Sequence, residues 1–115
     1  MSVRPATVTL RVPQRAVLRK RIRIGIDGNG IDIVAQVWDI ARKRLYINFA
    51  VEWISRLDIH NDNASCIIEI VASPSQTQAM TRDGVWDLKV IRNSGVNEDY
   101  FIRGLALLER GYSEN

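Results

Sequence analysis

Apolar and polar residues alternate along most of this chain with a period of two, which predicts strands rather than helices. Thr7 to Val12 alternates and is rich in β-branched residues, and Pro13 ends that run or marks an edge, because proline donates nothing to a ladder. The first residues, about 1–14, read as a short extended N-terminal arm, either a strand of its own domain or one that pairs with a neighbouring subunit. Ala16 to Ile26 alternates most clearly. Leu18, Ile22, Ile24 and Ile26 share one face, Arg19, Arg21 and Arg23 share the other, and Lys20 breaks the pattern. Asp27-Gly28-Asn29-Gly30 is a turn or loop signal. Ile31 to Ala41 is apolar on parts of both faces, as in a central or bulged strand. Leu45 to Ile54 follows the Arg42-Lys43-Arg44 turn as one strand. A helix over Trp38 to Ile54 competes, but β-branched and aromatic content favours strand.

Asp58 to Asn63 reads as a polar turn, and Ala64 to Ala72 as a strand with Cys66, Ile68 and Ile70 inward. Ser73-Pro74 then signals a helix start, with Gln76 placed to complete a capping box, so one or two helical turns are expected near 74–80 with Met80 in the core. Val85 to Asn93 is a strand with Trp86, Leu88 and Val90 inward and Asp87 and Lys89 outward. Asn93-Ser94-Gly95 turns it. Tyr100 to Glu109 returns, with Gly104 marking a bulge or a close approach of backbones. About seven or eight short strands at regular spacing predict an all-β, antiparallel sandwich, with a closed barrel as the alternative.

Composition narrows this picture. The 115 residues suit a single domain, 1–115, large enough to bury its own core. The single cysteine, Cys66, lies in an apolar run, where a buried, inert thiol is expected and no intrachain disulfide is possible. No apolar core precedes the first charges as in a signal peptide, and no run approaches the roughly 20 residues that span a bilayer. These features point to a protein made in a reducing cytoplasm that acts without a membrane.

Charge adds little by itself: 16 Lys and Arg against 13 Asp and Glu give +3. Its distribution is uneven, with a cluster from Arg11 to Arg23 and a second at Arg42-Lys43-Arg44. The row Arg19, Arg21, Arg23 reads first as a solvated face and second as a surface for an acidic or anionic partner. No aromatic residue is interleaved with it, so a nucleic-acid-binding face is disfavoured. His60, the only histidine, has no partner at a metal-ligand or catalytic spacing and reads as an exposed loop residue. Asp27, Asn29 and Asp32 lack the glutamate of a calcium loop. No phosphate loop, nucleophile–base pair or metal cluster is evident. The expectation is a non-enzymatic protein with no cofactor and no metal.

The order of these motifs resembles a known family. Ala72-Ser73-Pro74-Ser75-Gln76-Thr77-Gln78-Ala79-Met80, then Gly84-Val85-Trp86-Asp87-Leu88, then Ile102-Arg103-Gly104-Leu105-Ala106-Leu107 look like the small immunoglobulin-like domain at the N-terminus of siphophage upper baseplate (BppU-type) proteins. Met80 stands where that family usually has leucine, and Trp86 replaces another aromatic. The resemblance runs from about Arg15 to Tyr112. It implies an immunoglobulin-like sandwich and a virion structural protein, an adaptor in the tail, baseplate, neck or fibre-attachment assembly. Its partners would be other virion proteins, and the chain would form a homo-oligomer. Capsid decoration and a small nucleic-acid-binding β-barrel are the alternative roles. Aromatic and arginine residues dominate interfaces, so Arg19, Arg21, Arg23, Trp38, Trp53 and Tyr100 are the candidate contacts.

Overall fold

A computed structural model describes residues 6–92 and 97–109, without the side chains of 60 and 97–100. The strands are β1 (Ala6–Thr7), β2 (Leu10–Pro13), β3 (Leu18–Ile24), β4 (Ile31–Asp39), β5 (Leu45–Asn48), β6 (Ala50–His60) and β7 (Asn63–Ala72). Helix α1 (Pro74–Gln78), β8 (Gly84–Arg92) and β9 (Asn97–Glu109) complete them. One sheet has the order β1-β9-β8-β4-β5, with β2 also on β9; the other has the order β3-β7-β6. The two sheets enclose the core as an all-β sandwich, and the order is that of an immunoglobulin-like Greek key. The predicted turn Asn93-Ser94-Gly95 lies outside the described residues.

The core follows from the alternation. Ile33, Ala35 and Val37 of β4 meet Trp86, Leu88 and Val90 of β8 on one inner face. Leu18, Ile22 and Ile24 of β3 meet Cys66, Ile68 and Ala72 of β7 on the other. Lys20 takes an inward position opposite Ile70. β3 is an edge strand, and an inward charge there is one way sheets discourage edge pairing. Burial raises the Cys66 thiol pKa, and the charge of Asp27 adds to that, so the thiol stays protonated and unreactive.

Three expectations need correction. Of the two readings of the N-terminal segment, a strand of its own domain holds for residues 6–13: β1 and β2 run parallel to β9, so this sheet is mixed rather than antiparallel throughout. Leu10 and Val12 are buried in the chain's own core. Leu45 to Ile54 is two strands, not one. The chain leaves the larger sheet after Asn48 and enters the smaller at Ala50, while Phe49 between them is buried and donates its N–H to Ala35 O at 3.0 Å. The turn expected over Asp58 to Asn63 shrinks to Asn61-Asp62, with φ of 51° and 65°. Positive φ at both central residues fits the two-residue hairpin turn, and Asn and Asp tolerate it better than most residues.

Helix α1 forms as its residues dictate. Ser73 Oγ accepts the Gln76 N–H at 3.2 Å, and Gln76 Oε1 accepts the Ser73 N–H at 2.8 Å. Gln76 Nε2 also donates to Asn48 O of β5 at 2.8 Å. Thr77, fully buried, donates its hydroxyl to Ala16 O at 2.8 Å and accepts the Ala16 N–H at 3.1 Å. One helical turn thus fixes both the end of β5 and the β2–β3 connection, and Met80 fills the core below it.

Candidate functional site

The arginine row lies on the outer face of the three-stranded sheet, where period 2 puts it. It does not stand alone there. Glu52 of β6 and Glu69 of β7 are directly paired across strands, an arrangement that repels by itself. Arg19 Nη1 lies 3.0 Å from Glu69 Oε1 and 3.9 Å from Glu52 Oε1, and Arg21 Nη2 lies 3.9 Å from Glu69 Oε2. Arg23 Nη1 bonds Asp58 Oδ2 at 2.6 Å and Ser65 Oγ at 2.8 Å. Three arginines therefore face three carboxylates, and the face has no excess positive charge for a polyanion. Each exposed pair is worth little in stability; their effect is to neutralise the Glu52–Glu69 contact.

The tryptophans divide. Trp53 pairs with Ile68 across strands and packs against the core, and the Arg56 guanidinium covers its ring at 4.1 Å. Arg56 Nη1 also donates to Gly28 O at 2.9 Å, and a Cβ at Gly28 would collide with the Trp53 ring and Cys66. This cluster closes one end of the sandwich and holds the partly buried Trp53 against it. Trp38 is half-buried and lines a shallow pocket of about 200 Å³ on the outer face of the larger sheet with Gln36, Arg42, Asp87 and Lys89. The backbone of Tyr100 stands opposite Lys89, but its side chain, like that of His60, lies outside the described residues.

Asp87 points outward, as its position in the alternation requires, yet is only 2% exposed. Arg42 explains this. It sits at the tip of the β4–β5 hairpin with φ 58° and reaches back to Asp87 Oδ2 at 2.7 Å. The pair latches the hairpin to the central strand. Arg42→Ala leaves a buried carboxylate without this partner and is expected to cost about 2 kcal/mol in urea unfolding. Asp87→Asn, which leaves an arginine free to turn to water, is expected to cost less. Equal and negligible costs would contradict the latch.

The same hairpin holds Asp39. Its Oδ1 accepts the N–H groups of Lys43 at 2.7 Å and Arg44 at 3.0 Å. The Arg44 N–H is the main cause that holds the carboxyl below the usual 3.8; desolvation opposes it, and the Lys43 N–H and charge and the Arg42 N–H add to the lowering. A depressed pKa stabilises the folded state above the unfolded value and loses that contribution as pH falls through the folded one. The amide resonances of Lys43 and Arg44 are therefore expected to titrate with a midpoint below 3.8. A midpoint at or above 3.8 would contradict this geometry.

A second depression opens beside the hairpin. It measures about 450 Å³ and is lined by Asp39, Ile40, Ala41, Arg44 and Tyr46 on one side and Thr81, Arg82 and Asp83 on the other. Ile40 is exposed at its rim. The sequence offered the Arg42-Lys43-Arg44 cluster as a hint of this site, but Arg82, 38 or more residues away in the chain, could be joined to it only by the fold. Among the described residues no group of three or more His, Cys, Asp or Glu side chains could hold a metal, and no helix is long and apolar enough to cross a membrane.

No protein-family model and no curated protein sequence matches the chain. Among solved structures it is similar to a family 123 glycoside hydrolase from Clostridium perfringens, with 11% identity and a TM-score of 0.50. The likeness covers 92% of this chain and 23% of that one. The chain thus spans less than a quarter of the hydrolase, and at this identity the likeness shows a shared fold alone.

Proposed function

We propose that this protein is a non-enzymatic structural component of a tailed-phage virion, an adaptor in the tail, baseplate, neck or fibre-attachment assembly. The observation that carries the reading is where apolar side chains stay in solvent. Ile54, Leu57 and Ile59 are exposed along β6, one of the two edge strands of its sheet, and Ile40 and Leu45 flank the β4–β5 turn. Clustered apolar exposure marks contact surfaces. Register shifts in β6 interrupt its ladder, which discourages indiscriminate edge pairing while leaving the side chains available. The resemblance to upper baseplate domains supplies the setting. Its motif residues have structural duties in this fold: the Ser73–Gln76 cap, the Trp86 core anchor and the Asp87 latch. In that setting several copies would join in a ring with other virion proteins.

Quantitative mass spectrometry of purified particles tests the reading. The chain is expected at the low, fixed copy number of a tail or neck ring. Copies in the hundreds would transfer it to capsid decoration, and absence from particles would overturn the virion reading.

A further inference from the structure

We propose that the depression between the β4–β5 hairpin and residues 81–83 binds an acidic, extended segment of a partner protein, through Arg44 and Arg82. This builds on the adaptor reading by naming where one partner docks and what chemistry it brings. The argument rests on how the charged groups at this end are used. Both carboxylates lining the groove are turned to backbone: Asp39 Oδ1 accepts the Lys43 and Arg44 N–H groups, and Asp83 Oδ1 accepts the Leu108 N–H at 2.7 Å. The guanidinium groups of Arg44 and Arg82 form no ion pair with any described residue. Lys43 beside them leaves the hairpin end with a positive balance. The arginine row of β3 is the opposite case, each of its members lying close to at least one carboxylate.

The groove also selects the kind of anion. Guanidinium forks match carboxylates in bidentate geometry, and two of them suit a short run of Asp or Glu side chains. Nucleic acid would be served by a longer basic track than two arginines and a lysine. Tyr46 inside the groove and the exposed Ile40 at its rim offer an apolar seat between the charges, which a peptide can fill and a bare anion cannot.

The test is an amide-resolved NMR titration of the full chain with the capped peptide acetyl-Asp-Glu-Leu-Asp-Glu-amide, beside acetyl-Asn-Gln-Leu-Asn-Gln-amide and sodium phosphate. Shift changes are expected at residues 39–46 and 81–83. The neutral peptide and the Arg44→Ala/Arg82→Ala variant are each expected to bind about tenfold more weakly or worse. Both arginines are free of ion pairs, so the variant's spectrum should match outside the groove; Arg82→Ala alone gives a milder check. Arg19→Ala/Arg21→Ala should bind normally. Shifts centred on β3, equal binding of the neutral peptide, phosphate shifts as strong as the peptide's, or no groove shifts at millimolar peptide would each overturn the proposal. These readings come from the isolated protein, so they stand or fall separately from its presence in particles.

Discussion

Trp86→Ala is expected to lower the unfolding free energy by about 4 kcal/mol, as measured by urea denaturation, and to leave the protein mostly unfolded if its stability is at the low end for a domain. The indole is fully buried at the centre of the larger sheet. Its truncation would remove the largest fully buried side chain and leave a cavity that β-sheet walls close poorly. A second loss adds to the first. Trp86 Nε1 donates to Val8 O at 2.8 Å, in the break between β1 and β2. That bond tethers the first strands of the chain to its core. Trp86→Phe separates the two contributions: it keeps most of the volume and loses the tether, for an expected cost of about 1–2 kcal/mol. A phenylalanine variant as unstable as the alanine variant would show that the hydrogen bond, not the volume, dominates. An alanine variant within 1 kcal/mol of wild type, a threshold at roughly the centre of ordinary substitution effects, would contradict the packing described.

Gly104→Ala is expected to cost about 3 kcal/mol, at the upper end for overpacking by one methyl group. Gly104 lies directly opposite Trp86 on β9, and an added Cβ would fall inside contact distance of the Val8 carbonyl oxygen. That atom is backbone held by the Trp86 bond, so it cannot swing away as a flexible side chain would. The strand must shift and the β1–β9 pairing with it. Gly25→Ala is the matched control. A Cβ there meets nothing within 4 Å, so its effect is expected within about 0.5 kcal/mol. Similar costs at both glycines would mean that generic glycine effects, and not the approach of Val8, are at work.

These two residues also show how far the chain could be read without coordinates. Trp86 as an inward residue and Gly104 as a point of close approach were both legible, because each is a strong local signal in an alternating run. The capping box at Ser73 and Gln76 was legible for the same reason. What closes on Gly104 was not, because Val8 lies 96 positions away in the sequence and its β-branched neighbours look like any strand. The switch of sheets at Phe49 was hidden by an alternation that continues through it: one aromatic in a run of apolar residues does not reveal which sheet it enters. The turn at Asn61-Asp62 was blurred because Asp58 is polar for a different reason, its bond to Arg23.

The candidate site was less legible than the fold. Alternation placed Arg19, Arg21 and Arg23 on an outer face correctly, but their charge depends on Glu52, Asp58 and Glu69, which arrive from β6 and β7 only on folding. Trp53 has the composition of a contact residue, but it is partly buried against the core with Arg56 over its ring, contacts that only the fold brings together. The groove near Arg44 joins residues from a hairpin and a loop that share no local pattern. Side-chain type was visible throughout; which charges cancel was a property of the fold.

If the chain is a virion component as proposed, cryo-electron microscopy of the particle that carries it tests the central claim, an adaptor role in tail assembly, most directly. The expected result is density for this sandwich in a ring or joint of the tail, baseplate or neck, with residues 39–46 and β6 against neighbouring subunits. A particle fully resolved in those regions and lacking this density would contradict the adaptor role, and density spread over the capsid lattice would replace it with decoration.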